Sequence, residues 1–206
     1  LQYNSRAPAQ TAPAKARMAA GKYEPLTPPL PFPKAPPGQL QLREMGYTDS
    51  QIDQLNMLMS APSGIVLFTG PTGSGKTTTL FECLAEMARQ RPWDRQVTVE
   101  DPVEYPMEWA VQLGVSDSRS DAEAGAGFLE AVRVMLRMAP KIILIGEIRG
   151  AEVASAALNA AITGHLVIST LHVNDPYLFV ERLEFMDRTR LHRGIFCDPK
   201  IVRGIV

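Results

Sequence analysis

The apolar run Ile65-Val66-Leu67-Phe68-Thr69 empties directly into Gly70-Pro71-Thr72-Gly73-Ser74-Gly75-Lys76-Thr77-Thr78, and no other stretch limits the fold of this chain so tightly. Apolar and β-branched residues ending at a glycine-rich turn read as a strand. The turn carries G-x-x-x-x-G-K-T spacing, in which glycines free the backbone to wrap N–H groups around phosphates, a lysine adds point charge and a hydroxyl holds magnesium. Gly70, Pro71, Thr72, Gly73, Ser74, Gly75, Lys76, Thr77 and Thr78 are therefore the expected phosphate-binding residues, with Lys76 on the phosphates and Thr77 on the metal. Thr78 to Met87 follow as a helix, with Leu80, Leu84 and Met87 at helical spacing and the positive end of the helix dipole facing the anion. The chain is read as nucleotide-binding.

Strand and helix patterns then alternate. Thr48 and Gln51 form a capping box ahead of a helix whose apolar face is Ile52, Leu55, Leu58 and Met59. Further strands are expected at Gln96 to Val99, Ala110 to Leu113, Ile142 to Ile145 and Leu166 to Thr170, and helices at Ala122 to Met138, Ala151 to Ile162 and Pro176 to Phe185. Such alternation predicts an α/β fold with a mostly parallel sheet flanked by helices, and ligands collect at the carboxyl ends of its strands.

The 206 residues are 45% hydrophobic and 21% charged, enough to bury one substantial core. Nine of the seventeen prolines precede Gly38, so residues 1–38 are expected to be a disordered proline-rich linker or domain remnant and 39–206 the globular domain. Arg6, Lys15, Arg17, Lys22 and Lys34 against Glu24 give that segment a basic bias, for which a solvated linker is the simplest account. Leu1 in place of an initiator methionine suggests a processed or truncated chain with more sequence upstream. A formal net charge of −1 argues against a surface built to grip nucleic acid. Cys83 and Cys197 are too few for a disulfide framework and lack metal-ligand spacing, so inert thiols in a reducing compartment are expected. No apolar run is long enough to span a bilayer and no signal sequence opens the chain, so a cytoplasmic location without a transmembrane segment is expected.

Each strand end carries a polar group. After Gln96 to Val99 come Glu100, Asp101 and Glu104; after Ile142 to Ile145 come Gly146 and Glu147; after Leu166 to Thr170 comes His172. Taken singly, an acidic residue after a strand is ordinarily a turn former or helix cap, and Glu147 has a simple ion-pair partner in Arg149. Convergence on one sheet edge beside a phosphate loop favours chemistry. Phosphoryl transfer to water needs neutralised phosphates, a held magnesium and a carboxylate that orients the water. Glu147 has the position to hold magnesium through water, Glu104 and Glu100 are both candidates for water activation, and His172 is placed to sense the γ-phosphate or relay its state to a neighbouring subunit.

Four segments in this order, GPTGSGKTTTL at 70–80, TVEDPVEY at 98–105, IILIGEIR at 142–149 and TGHLVISTLHVNDP at 163–176, resemble the Walker A, Asp box, Walker B and His box of the type II secretion and type IV pilus ATPases. The resemblance covers Gly38 to the end. It implies a RecA-like core, ATP and Mg2+ as cofactors, a homo-hexamer in the full-length form, and a cytoplasmic motor working on an inner-membrane platform protein. By position, Glu104 would be the catalytic glutamate, Glu147 the Walker B glutamate, and His165 and His172 the His-box histidines, with Glu100 and Arg149 in the same boxes. Two departures stand out: Ala139-Pro140-Lys141, where the family has aspartates about the proline, and Gly150, where an aspartate usually follows Glu-x-Arg. The family's N-terminal domain, its segment beyond the motor core and its tetracysteine zinc motif have no counterpart in residues 1–206, so the chain is read as a motor core lacking its neighbour's arginine donor, with Arg119, Arg133 and Arg137 as substitutes. The competing readings are a P-loop phosphotransferase, a catalytically idle nucleotide-gated interaction module, and the related DNA-transfer ATPases of conjugation.

Overall fold

The structure, a computed structural model, describes residues 17–19, 22–24, 42–115 and 121–206, and for 17–19, 22–24 and 121–125 the backbone alone. Strands β1 (Arg17–Ala19) and β2 (Lys22–Glu24) pair antiparallel ahead of the proline run. The rest of the expected linker, and the division expected at residue 38, lie outside the described residues.

Thr48 opens α1 (Asp49–Met59) through the expected capping box: its Oγ1 accepts from the Gln51 amide at 3.4 Å while Gln51 Oε1 accepts from the Thr48 amide at 2.9 Å. There follow β3 (Gly64–Thr69), α2 (Lys76–Gln90), β4 (Gln96–Glu100), β5 (Ala110–Gly114), α3 (Asp121–Leu136), β6 (Ile142–Glu147), α4 (Ala151–Ile162) and β7 (Leu166–Leu171). A short 3-10 turn (Pro176–Leu178), α5 (Phe179–Met186), α6 (Arg193–Phe196) and β8 (Val202–Ile205) complete the described chain. The helix expected from Pro176 divides because Asp175 accepts from the Tyr177 amide at 2.9 Å and starts a tight turn before the α-helical bonds begin.

Six strands form one parallel sheet in the order β5-β4-β6-β7-β3-β8. The central strands are buried on both faces, which is why Ile142 to Ile145 and Leu166 to Ile168 read as continuous apolar runs rather than alternating ones. Ile65, Leu67, Val97, Val99, Ile143, Ile145 and Val167 pack with residues of α3 and α4 on one face. Val66, Phe68, Leu144 and Ile168 pack with Leu55 and Met59 of α1 and Leu80, Leu84 and Met87 of α2 on the other. The expected α/β architecture is borne out, with β7 inserted between the phosphate-loop strand β3 and the Glu147 strand β6.

Three of the described strands are not expected from sequence: β1 and β2, within the segment expected to be a disordered linker, and β8 in the main sheet, whose Arg203 and Gly204 hide its pattern. Strand β8 is fixed by non-local backbone bonds: the Val206 amide donates to Leu67 O at 2.8 Å and the Thr69 amide to Val206 O at 2.8 Å. Neither cysteine meets the other: Cys83 is buried in α2, whereas Cys197 is exposed.

Candidate functional site

The chain leaves β3 through a loop that only glycines can trace. Gly70, Gly73 and Gly75 have φ of +137°, +78° and +87°, values that L side chains rarely adopt. Gly75 is also the N-cap of α2, so no side chain covers the first amides of that helix. Lys76 Nζ donates to Gly70 O at 2.8 Å and to Pro71 O at 2.7 Å, curling the ammonium into the loop and leaving one of its three donors for an anion.

Thr72, Gly73, Gly75, Lys76, Thr77 and Thr78 line one wall of a cleft of about 1110 Å³, whereas Gly70, Pro71 and Ser74 of the same loop do not line it. Across the cleft stand Glu100, the last residue of β4, with Asp101 and Glu104 just after it, Glu147, the last residue of β6, with Arg149 beyond it, and Thr170 and His172 at the end of β7. The carboxyl ends of three neighbouring strands thus face the phosphate loop. His165 is not brought in: it precedes β7 at the opposite end of that strand, where its Nδ1 lies 2.9 Å from Ala160 O and 3.3 Å from Thr163 Oγ1. Arg119 lies outside the described residues, and Arg133 pairs with Glu130 at 3.6 Å.

Glu147 is aimed by a bulge. Register between β6 and β7 shifts after Ile145, so Glu147 rather than Gly146 comes to stand opposite Thr170. The disturbed carbonyls are recovered by hydroxyls of β7: Ser169 Oγ donates to Ile145 O and Thr170 Oγ1 to Gly146 O, each at 2.6 Å. A Cβ at Gly146 would lie 3.3 Å from Val99 O and 3.4 Å from Glu100 Cα, so the close approach of β4 leaves little room for a side chain there. The Glu147 carboxylate receives Arg149 Nε at 2.7 Å, and His172 Nε2 lies 3.4 Å from its second oxygen. Arg149 also reaches Asp101 Oδ2 at 3.2 Å, tying the ends of β4 and β6 together; its bond to Glu147, and to a lesser degree Asp101, holds the guanidinium above its ordinary pKa. The ion pair that competes with a catalytic reading of Glu147 is therefore present, inside the cleft.

The two glutamates of the β4 end differ sharply. Glu100 is 6% exposed. Its Oε1 accepts from Thr98 Oγ1 at 2.6 Å and from Gln112 Nε2 at 3.1 Å. Burial raises its pKa, opposed by these bonds and by the Glu104 amide. Glu104 is exposed on the cleft wall. Thr98, Gln112, Thr170 and Gly146 were not singled out from sequence, although Gln96, Thr98 and Glu100 alternate as polar residues through a strand, which is a signal that its second face is not plain core.

Among the described residues no group of three or more histidine, cysteine, aspartate or glutamate side chains could hold a metal ion. Thr77 and Glu147, both lining the cleft, fit magnesium held by one hydroxyl, phosphate oxygens and water, which is how this ion ordinarily binds with a nucleotide. The glycine cradle fits the phosphates: a Cβ at Gly73 or Gly75 would meet nothing within 4 Å.

Residues 34–192 match the family described as "Type II/IV secretion system protein". The chain is 42% identical over 148 residues to type II secretion system protein E of Klebsiella pneumoniae, covering 71% of this chain and 28% of the relative. It is 41% identical over 146 residues to the type IV pilus assembly ATPase PilB of Thermus thermophilus, covering 71% of this chain and 16% of that protein. In structure it is similar to the pilus retraction motor PilT with bound ADP, with a TM-score of 0.64 and 29% identity over 84% of this chain and 48% of that one. It is also similar to the ATPase DotB of Legionella pneumophila, with a TM-score of 0.60 and 33% identity over 79% of this chain and 44% of that one. It therefore spans under a third of the length of these two curated relatives, and over the part it shares with them the chain belongs to the type II/IV secretion system protein family.

Proposed function

We propose that this chain is the ATP-binding and ATP-hydrolysing motor domain of a secretion or pilus ring ATPase. The observation that carries the reading is the convergence of the Lys76 loop, Glu147 and Glu104 on one cleft. Lys76 and the first amides of α2 hold the phosphates, and Thr77 with Glu147 holds Mg2+, Glu147 through water because Arg149 and His172 already engage its carboxylate. Held there, Mg2+ would supply the positive charge that offsets charge developing on the phosphates during transfer. Glu104 orients the attacking water, whereas Glu100, enclosed by Thr98 and Gln112, serves as a fixed strut. His172, bridging to Glu147, registers occupancy of the γ-phosphate position.

In its full-length form the protein is proposed to act as a cytoplasmic homo-hexamer on an inner-membrane platform protein. Among the described residues no helix is long and apolar enough to cross a membrane.

The test is ATP turnover by the Glu104→Gln variant. A water-orienting carboxylate contributes more to the transition state than to binding, so ATP affinity should be kept while phosphate release falls about a hundredfold or more. Full turnover by Glu104→Gln, with turnover lost in Glu100→Gln, would reverse the two roles. Transfer of labelled phosphate to an acceptor other than water would support the phosphotransferase reading instead.

A further inference from the structure

Strands β4 and β5 are parallel neighbours, yet only residues 101–109 join them. A parallel connection must return the chain to the starting edge, a task usually given to a crossover of a dozen or more residues containing a helix. Here the return is a bare segment. Five strand residues span about 16 Å, roughly half of what residues 101–109 could reach fully extended, so the return is made without a crossover helix. These residues run back along β5: a Cβ on Gly114 would lie 3.3 Å from Val103, and Tyr105 and Met107 both bond Gln112. This is also the segment that carries Asp101 and Glu104.

Such a segment has backbone groups with no ladder partner, and buried ones must be satisfied elsewhere. Gln112 supplies them. Its Oε1 accepts from the Met107 amide at 2.8 Å and its Nε2 donates to Tyr105 O at 2.9 Å, so the carboxamide stands in for a peptide group of a missing strand. The second Nε2 hydrogen goes to Glu100 Oε1 at 3.1 Å. Both donors of the side chain are used, and it is 3% exposed. Phe81 of α2 packs against the same segment, its ring centroid 5.2 Å from Tyr105 and 5.3 Å from Trp109.

We infer that Gln112 is a positioning residue for the reaction, setting the place of Glu104 by fixing both Glu100 and the return segment on which Glu104 sits. Gln112 bonds Glu100, four residues before Glu104, and the Tyr105 carbonyl, one residue after it, so one side chain on β5 holds the peptide that presents the water-orienting group from both sides. The kinetic part rests on the proposed role of Glu104; the structural part does not.

Amide hydrogen exchange and steady-state kinetics on Gln112→Leu test the two parts separately. Loss of the acceptor should speed exchange of the Met107 amide roughly tenfold. In the ATP-hydrolysing protein kcat should fall between about tenfold and a hundredfold, the cost of displacing a catalytic group by about 1 Å, with KM for ATP unchanged. Thr98→Val, which removes the other donor to Glu100 but touches nothing on the return segment, should leave Met107 exchange unchanged. If Gln112→Leu does not fold, Gln112→Asn, one methylene short of its partners, should give the same pattern at smaller amplitude. Unchanged Met107 exchange in a folded Gln112 variant would overturn the inference, as would kcat and KM moving together. Retention of turnover by Glu104→Gln would remove only the kinetic part, and exchange would still decide whether Gln112 holds the segment.

Discussion

Glu100 shows how one side chain on the sheet can carry a cost. Its burial raises the pKa from the ordinary 4.5, so the folded state binds the proton more tightly than the unfolded chain. The stability this group contributes is fully present below about pH 4.5 and is lost as pH rises through the folded value. Urea unfolding across that interval should therefore show the parent gaining stability relative to Glu100→Gln on acidification, by at most about 1.4 kcal/mol per pH unit. A flat difference between the two would show that the carboxylate is solvated. The cysteines make a second contrast at the same scale. Burial pushes the Cys83 thiol up to about 12, whereas Cys197 is exposed. A thiol reagent at neutral pH should label Cys197 quickly in the folded chain and Cys83 only on unfolding, as mass spectrometry of the peptides would show.

At the scale of the element, β6 is the strand whose end had to be bent. Its apolar residues pair regularly with β4 and β7 as far as Ile145, and the bulge then turns Glu147 into the cleft. Because the space beside Gly146 is occupied by backbone of β4, Gly146→Val should cost about 1–3 kcal/mol of stability. It should also weaken ATP turnover by pushing β4 and Glu100 away. Thermal unfolding and phosphate release on the same sample check both, and a fully stable, fully active variant would contradict the close packing of β4 on β6. The expected strand stopped at Ile145 because Gly146-Glu147 looks like the start of a loop. What extends it is the pair of hydroxyls from Ser169 and Thr170, which lie more than twenty residues away.

For the whole molecule, the phosphate loop joins β3, an interior strand of the sheet, to α2, which covers one face. A ligand held there binds only the folded chain and must stabilise it by mass action. At a hundred times its dissociation constant, a non-hydrolysable ATP analogue with magnesium should add about 2.7 kcal/mol to the unfolding free energy. Lys76→Ala removes a charged hydrogen bond worth about 1.5–3 kcal/mol, so affinity should fall at least roughly tenfold and most of the stabilisation should vanish at the same analogue concentration. Calorimetry on both proteins with and without nucleotide measures this. Equal stabilisation of parent and variant would mean that the analogue does not sit on the loop.

Much of this architecture is legible along the chain because its determinants are local. Glycines at fixed spacing, a lysine and a threonine define the phosphate loop, the capping box starts α1, and apolar runs too continuous for an exposed face mark β3, β6 and β7 as central strands. Only the tertiary structure decided the rest, because those determinants are contacts between distant residues. The strand β8 exists through its bonds to β3, and His165 and His172, seven residues apart in one segment, are sent to opposite ends of β7. Glu100 and Glu104 look equivalent in sequence, yet pairing of β4 with β5 buries one under Gln112 and leaves the other on the cleft wall, since the partners that bury a carboxylate come from another strand.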